Sequence, residues 1–152
     1  MRNLLHFLQQ LLLTLLLVVL AGLLLAGIYF GWQGHTLYQK AVADHPIAAM
    51  YDSIHSRTDF VSYDAMPKTY VQAVIAVEDR RFASHHGIDP ISIGRALLID
   101  LKTHSLAEGG STLTQQLAKN ELFTQEKRLA RKAAEMFAAL AIEKAYSKQQ
   151  IF

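Results

Sequence analysis

Leu11 to Phe30 is a run of 20 positions that carries no charge and is broken only by Thr14 and a few small residues. No other stretch constrains the chain as much. A helix rises about 1.5 Å per residue, so this run covers roughly 30 Å, the hydrocarbon thickness of a bilayer. Fourteen of the positions are Leu, Val, Ile or Phe. At about 0.3 to 0.6 kcal/mol each, their insertion is favourable by several kcal/mol. A removable signal peptide has a shorter apolar region, usually about 7 to 15 residues, so the run is read as an uncleaved anchor. Arg2 and the amino terminus precede it, while Lys40 follows at a distance with Asp44 to offset it. That charge bias favours an N-terminus inside, and Tyr29 and Trp32 suit the far interface. Residues 1–10 then form a short cytoplasmic tail and 11–30 the transmembrane anchor.

Removing the anchor from 152 residues leaves a small domain. Fifteen basic residues against 13 acidic ones give a net charge of +2, which supplies no global field for nucleic acid. The absence of cysteine excludes a disulfide framework and thiolate metal sites. Residues 31–66 mix polar, aromatic and small side chains without a sustained helical period and are expected to form a juxtamembrane stalk. Met66-Pro67 breaks the chain, and proline suits the first turn of a helix. A helix is therefore expected to start there, and residues 67–152 are set apart as the domain beyond the stalk.

From there, Val71, Val74, Ile75, Glu78 and Phe82 follow the i, i+3, i+4, i+7, i+11 stripe of one helix face. A carboxylate interrupts this stripe. Either the helix ends and Glu78 escapes into water, or Glu78 lines an apolar cleft where desolvation makes it a better proton acceptor. Spacing leaves both open. Gly109-Gly110-Ser111 is a turn, and Thr112 to Gln115 fit the capping box that opens a helix. Leu113 and Leu117 would face inward. The GxxxxGK spacing of a nucleotide-binding loop is missing.

A last long helix is expected from about Glu126 to Tyr146, with Leu129, Ala133, Met136, Phe137 and Leu140 as its buried stripe. Arg131 and Glu135 form an i, i+4 pair that spacing alone reads as a solvated salt bridge. Lys119, Lys127, Arg128, Arg131 and Lys132 oppose two acidic residues, Glu121 and Glu126. Such a local patch suits a diphosphate or anionic lipid. His85 and His86 diverge on any regular element, so chelation by the pair is not expected. HExxH and GxSxG signatures are absent.

Together these segments resemble glycosyltransferase family 51, the transglycosylase domain of monofunctional peptidoglycan glycosyltransferases and bifunctional penicillin-binding proteins. Glu78-Asp79-Arg80-Arg81-Phe82-Ala83-Ser84-His85-His86-Gly87 is similar to the first motif, EDxxFxxHxG. Gly109 to Asn120 is similar to the second, GxSTxTQQ with its trailing KN, and Arg131-Lys132-Ala133-Ala134-Glu135 to the third, RKxxE. Lys127 stands where many members carry arginine. The resemblance runs from about Arg57 to Phe152, where Lys148 to Phe152 match only the opening of a fourth motif. The domain is accordingly expected to be truncated at its C-terminal end.

The resemblance implies a mainly α, lysozyme-like helical lobe over a smaller membrane-embedded lobe, held by the N-terminal helix in the bacterial cytoplasmic membrane with the catalytic domain outside. It implies that lipid II is polymerised into glycan strands with release of undecaprenyl diphosphate. Glu78 would be the general base, and Glu135 would help organise the diphosphate end. Ser111, Thr112, Gln115, Gln116, Lys119, Lys127, Arg131 and Lys132 would line the substrate cleft, with Asp79, Phe82 and His85 shaping the first motif. No cofactor is required by the sequence, and a divalent cation, magnesium or manganese, has room near the diphosphate. Expected partners are lipid II, the growing glycan chain, the membrane and other cell-wall synthesis proteins. Two rivals are a non-catalytic, truncated lipid II-binding membrane protein and a lytic enzyme of lysozyme-like fold. The diphosphate-suited cations argue against the lytic enzyme.

Overall fold

The computed structural model describes residues 2–103, 109–123 and 129–152, except for the side chains of Arg2 and Leu5. Among the described residues the secondary structure is helix and turn, with no strand. The helices are α1 (Arg2–Asp44), α2 (Ile47–His55), α3 (Lys68–Glu78), α4 (Pro90–Thr103), α5 (Leu113–Leu122), α6 (Leu129–Ala145) and α7 (Lys148–Ile151).

The expected anchor is the first part of a much longer helix. α1 is long and apolar enough to cross a membrane, and leucines such as Leu12, Leu16 and Leu23 are exposed along it. It does not stop at Phe30 but continues without a break to Asp44. The expected stalk over 31–66 is therefore corrected: its first part is helix, and α2 follows directly. The contacting face of α1 is Gly34, Tyr38 and Ala41, an i, i+4, i+7 set of small and aromatic residues that an aliphatic-stripe reading passes over. This face packs on α6. The Phe137 ring meets His35 edge-on at 5.1 Å and lies 6.2 Å from Tyr38. α2 is also docked, through Tyr51 stacked on Tyr146 at 4.5 Å and 7°.

The core joins Ala41, Met50, Phe82, Ala118, Leu122, Ala138, Ile142 and Ile151, with Leu113 and Leu117 packed against it as expected. The buried face of α6 is shifted from the expected stripe. Ala134, Glu135, Ala138, Ala139 and Ile142 are buried, whereas Leu129 and Leu140 are exposed, Leu129 at 66%. The cause is the close approach of neighbours: alanines, not leucines, let backbones meet at short range. Gly87 makes the same point. Its φ of 95° is in the left-handed region, and an added Cβ would stand 2.8 Å from the Ala139 carbonyl group, so no side chain fits there.

α3 starts at Lys68 after Pro67, as the sequence predicts, and ends at Glu78, with Asp79 in the C-cap position. Phe82 thus lies beyond the helix, in a turn, and does not continue its stripe. α5 opens with the expected capping box. The Gln115 N–H donates to Thr112 Oγ1 at 3.1 Å, and the Thr112 N–H donates to Gln115 Oε1 at 3.0 Å. A second capping box, Ser147 with Gln150, opens α7.

Candidate active site

Glu78 is exposed at the end of α3, so of the two readings left open by spacing the helix end holds and the desolvating apolar wall does not. α3 simply runs out there, and the carboxylate turns towards the second motif, where Gln116 Nε2 donates to Glu78 Oε2 at 3.0 Å. It borders a cleft of about 650 Å³ including the open mouth, shared with Asp79, Arg80, Arg95, Ser111 and Thr112. The capping box fixes Thr112, and with it Ser111 one residue earlier, at the start of α5. Arg80 and Arg95 were not singled out from the sequence.

The residue after Glu78 does the opposite of Glu78. Asp79 is buried, and its Oδ2 accepts the Leu113 N–H at 2.9 Å and a hydrogen bond from His85 Nε2 at 2.8 Å. Because the Gly87 N–H donates to His85 Nδ1 at 3.1 Å, the ring proton belongs on Nε2. Thr112 Oγ1 donates to the Gly87 carbonyl at 2.7 Å. The first and second motifs are therefore tied together by Asp79, His85, Gly87 and Thr112. Phe82 is buried in the core under the Lys148 ammonium, 4.5 Å from its ring centre. Asp79, Phe82 and His85 thus hold the cleft from behind, and His86 is exposed, so the two histidines diverge as expected.

The third motif is a buried ion cluster. Glu135 is 1% exposed. Its Oε1 accepts a short hydrogen bond from Arg131 Nη1 and its Oε2 one from Lys132 Nζ at 2.9 Å. The solvated salt-bridge reading is excluded by this burial. Lys132 Nζ also donates to Ser111 Oγ at 2.5 Å, which connects the cluster to the wall of the Glu78 cleft. Arg131 and Lys132 thus share one carboxylate. Lys132 retains 40% side-chain exposure and Arg131 13%, so Lys132 offers the more accessible charge to an anion. Gln115 is buried, and its Nε2 has no hydrogen-bond partner among the described residues. Lys119 is half-buried on α5. Lys127 and Arg128, with the expected helix start at Glu126, lie outside the described residues.

Sequence reasoning missed Glu143. Its Oε1 accepts from Thr114 Oγ1 and from Lys148 Nζ, both at 2.6 Å, and lies 3.9 Å from His85 Nδ1. Its one signal was a carboxylate closing the apolar stretch from Ala138 to Ile142, the same kind of signal that drew attention to Glu78. Asp89 is a further buried carboxylate, bonded by Arg81 Nε at 3.0 Å, Ser92 Oγ at 2.7 Å and the Ile91 N–H at 3.0 Å. Burial pushes its pKa up, but the Ser92 hydroxyl, the Ser92 and Ile91 N–H groups and the Arg81 charge outweigh it and hold the carboxyl below its ordinary value.

The chain also has relatives among known proteins. Residues 44–152 match the Transglycosylase family, and the chain belongs to that family. It is 40% identical over 116 residues to penicillin-binding protein 1A/1B of Bacillus subtilis, covering 76% of this chain and 13% of that protein. Penicillin-binding protein 1A of Escherichia coli is 41% identical over 109 residues, covering 72% of this chain and 13% of that protein. A monofunctional glycosyltransferase of Staphylococcus epidermidis is 42% identical over 99 residues, covering 65% of this chain and 36% of that protein. The chain spans about an eighth of the two penicillin-binding proteins and just over a third of the glycosyltransferase.

Proposed function

We propose that this chain carries the reacting cleft of a peptidoglycan glycosyltransferase that joins lipid II units at the outer face of the cytoplasmic membrane. The carrying observation is Ser111, which lines the Glu78 cleft and receives the Lys132 hydrogen bond. Through it, a candidate proton acceptor and a candidate diphosphate site border the same space.

In the proposed reaction the acceptor's 4-hydroxyl oxygen attacks the anomeric carbon of the growing chain, and its proton passes to Glu78. A new glycosidic C–O bond forms as the anomeric C–O bond to the diphosphate breaks, and the electron pair leaves on undecaprenyl diphosphate. Lys132 and Arg131 stabilise that charge, and Glu135 holds both cations in place before it develops. Gln116 aims the Glu78 carboxylate. The base role rests on position rather than on burial. A divalent cation, magnesium or manganese, would be held chiefly by the diphosphate oxygens, since among the described residues no three His, Asp or Glu side chains come together as a cage. The exposed Leu97, Leu98 and Leu101 of α4 are the surface that a membrane-embedded smaller lobe would present to lipid.

Incubation of the purified protein in lipid bilayers with labelled lipid II should yield glycan strands, while finished glycan should stay intact. Binding of lipid II without polymerisation would favour a non-catalytic lipid II-binding protein, and cleavage of finished glycan would favour a lytic enzyme. Topology is tested separately. Protease added to intact spheroplasts should remove the part after Phe30, and full protection of that part would contradict an outward-facing domain.

A further inference from the structure

The crossing of α1 and α6 is unusually close. A Cβ added at Gly34 would stand 2.4 Å from Ala133 Cβ, 2.9 Å from the Ala130 carbonyl oxygen and 2.9 Å from the Ala134 nitrogen. Two of those three atoms are backbone, so a larger residue must push the helices apart. Gly31, one turn earlier on the same helix, has nothing within 4 Å of an added Cβ. The crowding is thus local to one residue.

Its location matters. Gly34 lies four residues past the end of the apolar run at Phe30, about 6 Å along an unbroken helix. The polar interface of a bilayer adds roughly 5 to 8 Å beyond the hydrocarbon on each side, which places the crossing at headgroup level if α1 spans the membrane. The α6 turn that meets Gly34, Ala130 to Ala134, is the turn that carries Arg131 and Lys132. His35 and Tyr38 against Phe137, and the buried Ala41, extend the contact by about two turns and fix its rotation as well as its height.

We infer that Gly34 is a positioning residue: its missing side chain lets the membrane helix seat α6 directly, which holds the Arg131–Lys132–Glu135 cluster at the depth of a lipid-borne diphosphate. What the cluster binds rests on the function proposed above, whereas the helix crossing does not. Lys132 then meets the phosphate groups without either partner leaving its layer of the membrane. Displacement by the width of one methyl group is enough to matter, because misplacement by about 1 Å can lower a site's efficiency by as much as 100-fold.

The chain has no cysteine, so a single Leu129→Cys, at the exposed start of α6, can carry a fluorophore. Quenching by nitroxides attached at lipid headgroups or along acyl chains then reports its depth in the bilayer, and labelled lipid II gives the Kd in the same vesicles. Gly34→Leu should shift the quenching profile and raise the Kd about tenfold or more, while Gly31→Leu changes neither. A folded Gly34→Leu protein with the parent's depth and affinity would overturn the inference. If Gly34→Leu does not fold, Gly34→Ala takes its place with a depth shift and a Kd increase of about threefold, and parent values there overturn it equally. Lys132→Ala separates the two claims: it should keep the depth profile and weaken binding. Unchanged binding by Lys132→Ala removes the diphosphate reading and leaves the depth shift to judge the crossing.

Discussion

Glu78 and Glu135 are two carboxylates in opposite states, the first on the wall of the cleft and the second behind it, joined to that wall through Lys132 and Ser111. Glu78 is exposed at a helix end and accepts from the Gln116 amide. Glu135 is buried in the middle of a helix and holds two cations. The pairing teaches a division of labour. A group that must gain and lose a proton each turnover sits where substrate and solvent reach it, with few bonds to break. A group that must hold cations against a highly charged substrate sits where its own geometry is fixed. On the proposed function, burial would mark the organising carboxylate and exposure the reacting one.

The largest effect on the folded state should come from Glu135→Ala, which removes the buried carboxylate that Arg131 and Lys132 share. Removing one partner of a buried pair typically costs about 3 to 5 kcal/mol, and the exposure of Lys132 places this case near the lower figure. Thermal unfolding in micelles reads it. A loss below about 0.5 kcal/mol, the range of ordinary surface substitutions, would mean that the cluster is not organised by Glu135.

Asp89 supplies an intermediate case, buried like Glu135 but paired with one arginine and neutral donors. Its pKa is lowered on folding, so its contribution is fully present above its unfolded value, about pH 4, and is lost as pH falls through the lower folded value. Asp89→Asn should therefore lose stability at neutral pH, by about 1 kcal/mol, and converge on the parent in acid. A constant gap across that window would contradict the assignment. The smallest effect belongs to Glu78→Gln, whose unfolding should stay within about 0.5 kcal/mol of the parent.

The sequence made some of this legible and hid the rest for identifiable reasons. The anchor, the helix start after Pro67 and the capping box at Thr112 rest on local chemistry, and local chemistry is what a sequence displays. The long continuation of α1 was hidden because Gly34, Tyr38 and Ala41 form a contact face without aliphatic residues. The buried face of α6 was misplaced by about two positions for the same reason, since alanine is weakly hydrophobic yet selected here by close backbone approach. Motif resemblance brought Glu78, Ser111, Arg131, Lys132 and Glu135 together in one list, but not the Lys132–Ser111 bond that joins them in space. The apolar stripe through Val71, Val74 and Ile75 drew attention to Glu78 for a reason the structure does not support: the helix ends there, and the side chain is exposed. The role of Glu143 was hidden because its partners Thr114 and His85 are about 30 and 60 residues away in the chain.

The central claim is that the exposed carboxylate reacts while the buried one organises, and Glu78→Gln tests it most directly. In a parent protein that polymerises lipid II, turnover and lipid II binding are measured side by side in the same vesicles. The amide keeps the size and hydrogen-bonding shape of Glu78 but cannot take a proton, so turnover should fall by about 100-fold or more with binding within about twofold of the parent. Turnover close to the parent's would remove Glu78 from the role of base, and loss of binding in step with turnover would make it an organising residue like Glu135.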